Sequence, residues 1–197
     1  MGWEFPETSV GWYRKTFTLS PEDKGKHFRI QFDGIFRNAQ IWVNGIFVGV
    51  EPSGYIHQDY DITDYLLFGD DPRQTNLICV RCDASLEEGW FYEGAGIYRH
   101  VWLCKASKVN VAPWGTFVYS EFAAPFTLRG NAGPDLTQAA LHIETTVQNS
   151  GNAPASYTLR HKLCDATGTI VGECDAEGGL ILAKDNHHTL GTISVEN

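Results

Sequence analysis

The sequence predicts an all-β protein, a jelly-roll β-sandwich followed by an immunoglobulin-like β-sandwich, and three observations carry that prediction. Apolar residues alternate with polar ones along much of the chain, as in Phe28, Ile30 and Phe32 against Arg29 and Gln31. Asn44-Gly45 joins two apolar runs, AQIWV and IFVGV, and this pair accepts the positive φ angles of a type I′ hairpin turn. No segment sustains a helical period long enough to compete. At 197 residues and 43% hydrophobic content the chain has room for one large or two small domains with real cores.

Taken in order, Tyr13, Phe17 and Leu19 open the strand pattern, and Phe28 to Phe32 continue it. With Asn44-Gly45 as the loop, the hairpin register sets Val43 against Ile46, Trp42 against Phe47 and Ile41 against Val48. One side is then aliphatic and the other aromatic, so the hairpin needs a core beneath it and a second surface above. One short helical turn is expected at Thr63 to Leu67, capped by Asp61 or Thr63. Gly69-Asp70-Asp71-Pro72 breaks the pattern, and strands resume at Leu77 to Cys82 and His100 to Cys104. Composition changes at Pro113-Trp114-Gly115, since all six Trp lie at or before Trp114. This places a domain boundary between residues 1–115 and 116–197. Beyond it Leu141, Ile143, Thr145 and Val147 alternate with His142, Glu144, Thr146 and Gln148. Further strands are expected at Tyr157 to Leu163, Thr169 to Glu173, Leu180 to Ala183 and Thr189 to Val195. An immunoglobulin-like sandwich wants about seven strands, so the second domain is expected to be cut short at its C-terminus.

Charge and motifs exclude several classes. A net charge of -9, a pI of about 5.1 and no run of Lys or Arg argue against nucleic acid and against an anionic membrane surface. No stretch approaches the ~20 apolar residues of a membrane span, and Met1-Gly2-Trp3-Glu4 lacks the features of a signal peptide. Five Cys, an odd number, fit free thiols. Cys79 and Cys82 lie three apart on a strand and so point to opposite faces, unlike a zinc knuckle. A turn at Asp165 to Gly168 sets Cys164 near Thr169 rather than Cys174. Asp59, Asp61 and Asp64 imitate the start of a calcium loop but lack its Gly and Glu, so capping and turn formation explain them. The seven His are expected at the surface, without a metal-binding arrangement. No GxSxG elbow or P-loop occurs, and Gly94-Ala95-Gly96 is followed by Arg99 and a strand, not by the rest of a dinucleotide fingerprint. Neither a cofactor nor a metal is expected.

The segment Glu87-Glu88-Gly89-Trp90-Phe91-Tyr92-Glu93-Gly94-Ala95-Gly96 breaks the strand rhythm with aromatic and carboxylate side chains between glycines. Two readings stand side by side. The rings stack on a pyranose while the carboxylates accept its hydroxyl protons; or Phe91 and Tyr92 plug the sandwich and the glutamates face solvent. Glu87 and Glu88 are adjacent with nothing to place them as a glycosidase pair, which in retaining enzymes sits ~5 Å apart.

The ordered motifs GWYRKTF (11–17), Phe32-Asp33-Gly34, Trp42-Val43-Asn44-Gly45 with Val48-Gly49, YDITDYL (60–66) and GAGIYRHVWL (94–103) resemble glycoside hydrolase family 2, most closely its β-galactosidase branch. The resemblance covers the N-terminal sugar-binding jelly roll to about Gly115; more weakly, the second domain resembles the immunoglobulin-like sandwich that follows, with Val147-Gln148-Asn149 near its first strand. It implies a retaining hydrolase whose two catalytic glutamates lie in a (β/α)8 barrel elsewhere in the polypeptide. The acid/base of relatives follows an Asn, and this chain has no Asn-Glu dipeptide, so no catalytic residue is assigned. In relatives a Pro and Leu-Trp segment then completes the second sandwich. The resemblance raises the binding reading of Glu88, Trp90, Tyr92 and Glu93, leaves Phe91 to packing and makes Arg99 a buried ion-pair partner. Implied partners are that barrel and a carbohydrate substrate, with a second copy of the chain as a candidate cover for unfinished strand edges. The alternatives are a free-standing carbohydrate-binding module, or the same domains from a β-glucuronidase or β-mannosidase.

Overall fold

The computed structural model describes residues 9–85, 94–122, 127–128, 134–135 and 138–196. The chain is all-β and forms two compact units, Met1–Ser107 and Lys108–Asn197. The first contains β1 (Val10–Phe17), β2 (His27–Phe32), β3 (Ile35–Phe36), β4 (Ala39–Val43), β5 (Ile46–Glu51), β6 (Gln58–Asp61), β7 (Asn76–Asp83), β8 (Gly96–Ile97) and β9 (Val101–Ala106). Its sheets have the orders β1-β7-β4-β5, β6-β2-β9 and β3-β8, all antiparallel. Phe28, Ile30 and Phe32 of β2, Ile41 and Val43 of β4, and Val80 and Cys82 of β7 close one core between the two larger sheets, each at most 2% exposed. Each such large side chain contributes roughly 1.5–3 kcal/mol by leaving water.

The hairpin turn forms as its sequence requires, with φ of 51° at Asn44 and 83° at Gly45. Val43 faces Ile46 and Trp42 faces Phe47, but Ile41 faces Gly49 rather than Val48, because a bulge shifts the register between Ile41 and Trp42. The bulge brings Gly49 against the Tyr60 ring, where a Cβ would collide with ring atoms. On the aliphatic side Ile41 and Val43 are fully buried and Val48 partly, while Ile46, beside the turn, stays exposed. On the aromatic side Trp42 stacks on Trp12 at 5.4 Å and lies 5.5 Å from Phe47, while Trp12 and Phe47 remain about half exposed on the outer face of the sheet.

Asn44 does more than turn the chain. Its amide group donates to the Tyr65 carbonyl at 2.7 Å and to Asn76 Oδ1 at 2.8 Å, and its Oδ1 accepts from the Leu77 amide at 2.8 Å. Asn76, fully buried at the start of β7, also bonds both backbone groups of Leu67, each at 2.8 Å. The expected helical turn is a 3-10 turn at Thr63–Tyr65, with Asp61 Oδ1 accepting from the Thr63 amide at 3.0 Å. Two further 3-10 turns, at Pro21–Asp23 and Pro72–Gln74, are capped by Ser20 and Asp71. Each has Pro in its first turn, where the missing N–H costs nothing. The outer face of β6-β2-β9 is polar: Arg29 donates to Asp59 at 2.7 Å, and His27 pairs with Asp61 at 3.0 Å. His27 is 5% exposed, which corrects the expectation that the histidines lie at the surface. Its place at the start of β2, paired across the sheet with Ala106, carries it under cover.

The second unit contains β10 (Val109–Phe122), β11 (Thr127–Leu128), β12 (Pro134–Asp135), β13 (Gln138–Asn149), β14 (Ala155–Cys164), β15 (Ile170–Ile181) and β16 (Asn186–Glu196). β10-β13-β16 form one sheet and β14-β15 a second, with β11-β12 a short ladder. Ile143, Thr145 and Val147 are buried on one face of β13, as the alternation requires. The segments expected as separate strands at Thr169 to Glu173 and Leu180 to Ala183 are one continuous strand, β15, because its glycines let the ladder bulge past Tyr157 instead of ending. The compositional change at Pro113-Trp114-Gly115 falls inside β10, whose pairing with β13 shifts register between Val111 and Thr116. Backbone pairing thus runs through a point where side-chain usage changes. Asn149 closes the other end, donating to the Ala153 carbonyl at 2.8 Å and the Leu182 carbonyl at 3.1 Å, and accepting from the Gly151 amide at 2.9 Å.

Asn76→Ala leaves the Leu67 amide and carbonyl and the Asn44 amide without their buried partner, each costing about 1–3 kcal/mol. We expect the first unit to lose about 3–5 kcal/mol, read as a lower urea midpoint with unchanged slope. A loss under about 1 kcal/mol would contradict the role assigned to Asn76.

Candidate functional site

The residues that the sequence nominates for sugar contact, Glu88, Trp90, Tyr92 and Glu93, lie outside the described residues, as do Glu87 and Phe91. The described chain supplies the two stems on which residues 86–93 are mounted. One is the end of β7 continued to Ser85; the other starts at Gly94 and runs through β8 to β9.

The first stem is held by its backbone and by one carboxylate. The Asp83 amide donates to the Arg37 carbonyl at 3.0 Å, and Asn38 Nδ2 donates to the Asp83 carbonyl at 3.3 Å. Asp83 Oδ1 accepts from the Ser85 hydroxyl at 2.5 Å and the Ser85 amide at 3.2 Å, while Oδ2 accepts from Arg81 at 2.8 Å. The Ser85 hydroxyl, then its amide and then Arg81 hold the Asp83 carboxyl below the ordinary carboxylate range. The sequence explains this turn locally, since an Asp accepting two residues ahead forms an Asx turn and ends a strand.

The second stem requires glycine. Gly96 has φ of 99°, and a Cβ there would strike the Tyr13 hydroxyl. Gly96 and Ile97 pair with Phe36 and Ile35, the Tyr98 amide donates to the Gly34 carbonyl at 3.3 Å, and the Tyr98 hydroxyl donates to the Gly54 carbonyl at 2.8 Å. Beside Gly96, burial pushes the Cys82 thiol up to about 11, partly offset by a hydrogen bond with the Gly96 backbone. The two stems are thus bonded to the same short stretch, Gly34 to Asn38.

Around them lie further groups, of which sequence reasoning singled out only Arg99. Arg37 is 5% exposed with its guanidinium 5.6 Å from the Phe36 ring, and Tyr55 meets Phe36 edge-on at 5.5 Å while remaining 63% exposed. Arg99 is exposed, with its guanidinium 5.5 Å from the Tyr98 ring. The expectation of a buried ion pair at Arg99 is therefore corrected: it follows the end of β8, where the chain is at the surface, and among the described residues the buried arginine is Arg37. After Arg37 the chain reverses tightly at Asn38, which has φ of 44°. All five Cys are free thiols, and among the described residues no group of three or more His, Cys, Asp or Glu is placed to hold a metal ion. Chemically, residues 86–93 add rings and carboxylates in sequence between two hydrogen-bonded stems.

Comparisons with known proteins place this geometry. A family model described as glycosyl hydrolases family 2, sugar binding domain, matches residues 5–107. The chain is 40% identical over 177 residues to the β-galactosidase BoGH2A of Bacteroides ovatus, covering 89% of this chain and 19% of that protein. It is 37% identical over 118 residues to a putative β-glucuronidase of Formosa agariphila, covering 59% of this chain and 11% of that protein. Among solved structures, a family 2 member from Bacteroides cellulosilyticus aligns with a TM-score of 0.79 at 29% identity, over 95% of this chain and 24% of that one. A family 2 β-glucuronidase shares the fold with a TM-score of 0.84 at 24% identity, over 96% of this chain and 20% of that one. The chain spans about a fifth of the length of the first of these relatives.

The stems make two expectations. At pH 8 iodoacetamide modifies exposed Cys164 and spares Cys82 in the folded chain, with both labelled after unfolding; equal native labelling would contradict the burial argument. Because the folded Asp83 carboxyl titrates below its ordinary value of 3.8, its contribution is present above that value and is lost as pH falls through the lowered one. An NMR titration should show the Ser85 amide shift moving only in that acid window, and movement near neutral pH would contradict it.

Proposed function

The chain belongs to glycoside hydrolase family 2 through its sugar-binding domain, and from that premise we propose that it is the N-terminal, non-catalytic part of a retaining, β-galactosidase-like hydrolase. In this reading a (β/α)8 barrel of the same polypeptide supplies the two catalytic glutamates. The first unit contributes Glu88, Trp90, Tyr92 and Glu93 as one wall of the sugar pocket, and the second unit is an immunoglobulin-like spacer. The observation that carries the proposal is the 40% identity to a β-galactosidase, reaching through 89% of the chain and confined to 19% of that enzyme.

Two physical features support it. Residues 86–93 read LEEGWFYE, with three glutamates and no cation, a set that repels a uronate carboxylate and suits the hydroxyls of a neutral sugar. This favours a galactoside over a glucuronide, although glucuronidases are among the relatives. The outer face of β1-β7-β4-β5 also exposes Trp12, Phe47 and Val50, the aromatic-rich composition of a protein interface core, which suits contact with the barrel.

The test assays the full polypeptide and the 197-residue chain on nitrophenyl β-galactoside and β-glucuronide. The proposal expects turnover of the galactoside by the full polypeptide only, with kcat/KM falling about 10- to 100-fold in Trp90→Ala, a loss of roughly 1.4–2.8 kcal/mol. Turnover by the 197-residue chain above a mock preparation would overturn it. Galactoside binding by that chain alone, lost in Trp90→Ala, would instead support a free-standing binding module.

A further inference from the structure

We propose a second carbohydrate-binding site, on the outer face of β6-β2-β9 and centred on Trp102, separate from residues 86–93 and independent of any hydrolytic activity.

Trp102 lies on edge strand β9 opposite Gln31 and is 50% exposed, yet it is fixed: its indole Nε1–H donates to Asp33 Oδ2 at 3.0 Å. The His100 ring stands 5.3 Å from the indole at an interplanar angle of 34°, with 79% of its side chain exposed. Asp33 is in turn approached by His57 Nδ1 at 3.4 Å and His100 Nδ1 at 3.7 Å. On the other side of Trp102, Gln31 donates to Asp59 Oδ2 at 3.1 Å. An exposed ring oriented by a carboxylate on one side and flanked by an imidazole and a carboxamide is a rigid apolar plate with a polar rim.

That chemistry selects its ligand. A plate of one or two rings matches the C–H face of a pyranose, and Asp33, Gln31, Asp59 and His100 supply acceptors and donors for its hydroxyls. The rim is carboxylate-rich and the chain carries a net charge of -9, so an anionic ligand is disfavoured. A protein-docking face would expose more apolar surface, as the opposite sheet does with Trp12, Phe47 and Val50, even with Arg14 and Arg81 among them. Here the neighbours are charged and already paired with one another, and a sheet face of that kind keeps its water except over the ring. A neutral oligosaccharide therefore fits better than a protein.

The experiment titrates the folded 197-residue chain with methyl β-galactoside and with gluco-, galacto-, manno- and xylo-oligosaccharides of up to six units, followed through indole NMR signals and, for every variant, by calorimetry. The expected result is saturable movement of the Trp102 indole signal with Kd of about 0.1–10 mM for at least one series. Affinity should fall at least tenfold in Trp102→Ala, be largely retained in Trp102→Phe, fall measurably in His100→Ala, and be unchanged in Trp12→Ala. His100→Ala alters an exposed side chain and keeps the test decisive if Trp102→Ala unfolds. The proposal is overturned if no sugar of the panel shifts the Trp102 signal, if binding survives both Trp102→Ala and His100→Ala, or if only Trp90→Ala abolishes it. A change in oligomeric state as the sole effect of Trp102→Ala would also overturn it, in favour of a protein contact.

Discussion

The first unit depends on the hydrogen-bonded pair Asn44 and Asn76. One side chain sits in the left-handed turn of the β4-β5 hairpin and the other is buried at the start of β7, and their contact at 2.8 Å joins two places far apart in sequence. Through the same amides the pair also holds the backbone at Tyr65, Leu67 and Leu77. Burying so many polar groups is tolerable only because each has its partner, so the node tolerates little change. It sets the start of β7, and the register of β7 against β1 and β4 follows from there to Asp83.

Asp83 is where that order is handed to the candidate site. Its backbone is bonded to Arg37 and Asn38, and its carboxylate shapes the chain to Ser85. The returning stem is bonded to Gly34, Ile35 and Phe36, a few residues earlier on the same segment. Both stems that flank residues 86–93 are therefore fixed by strand pairing and backbone hydrogen bonds to one short stretch of chain. The outer faces of the two sheets diverge in character. One is rich in aromatic rings, with Arg14 and Arg81 beside Trp12, and the other is a network of carboxylates, imidazoles and amides around Trp102, so the sandwich presents different chemistry on its two sides while sharing one core.

Much of this was legible in the residues. Period-two alternation located β2, β7, β13 and β16, and Asn44-Gly45 located the hairpin, because both signals are local. The bulge at Val48-Gly49 was not legible, since it answers to Tyr60 on another strand. The gap between the strands expected at Thr169 to Glu173 and Leu180 to Ala183 lies inside β15, where Gly178 accommodates a bulge. His27 and Arg37 are buried through tertiary placement that no short-range pattern encodes, and Arg99 is exposed for the same reason. The candidate loop stood out by composition, whereas the Trp102 face did not: Asp33, His57, His100 and Trp102 come from three strand ends and meet only after folding. The family assignment was legible because its motifs are the turn and strand residues themselves.

The central claim is that the stems of residues 86–93 belong to the same cooperative unit as the Asn44–Asn76 node. Native-state hydrogen exchange measures this directly at the Leu77, Asp83 and Tyr98 amides. The account predicts that all three exchange only through global opening, with opening free energies equal to that of unfolding the first unit. Exchange of Asp83 and Tyr98 through a separate, lower-energy opening while Leu77 stays protected would contradict it.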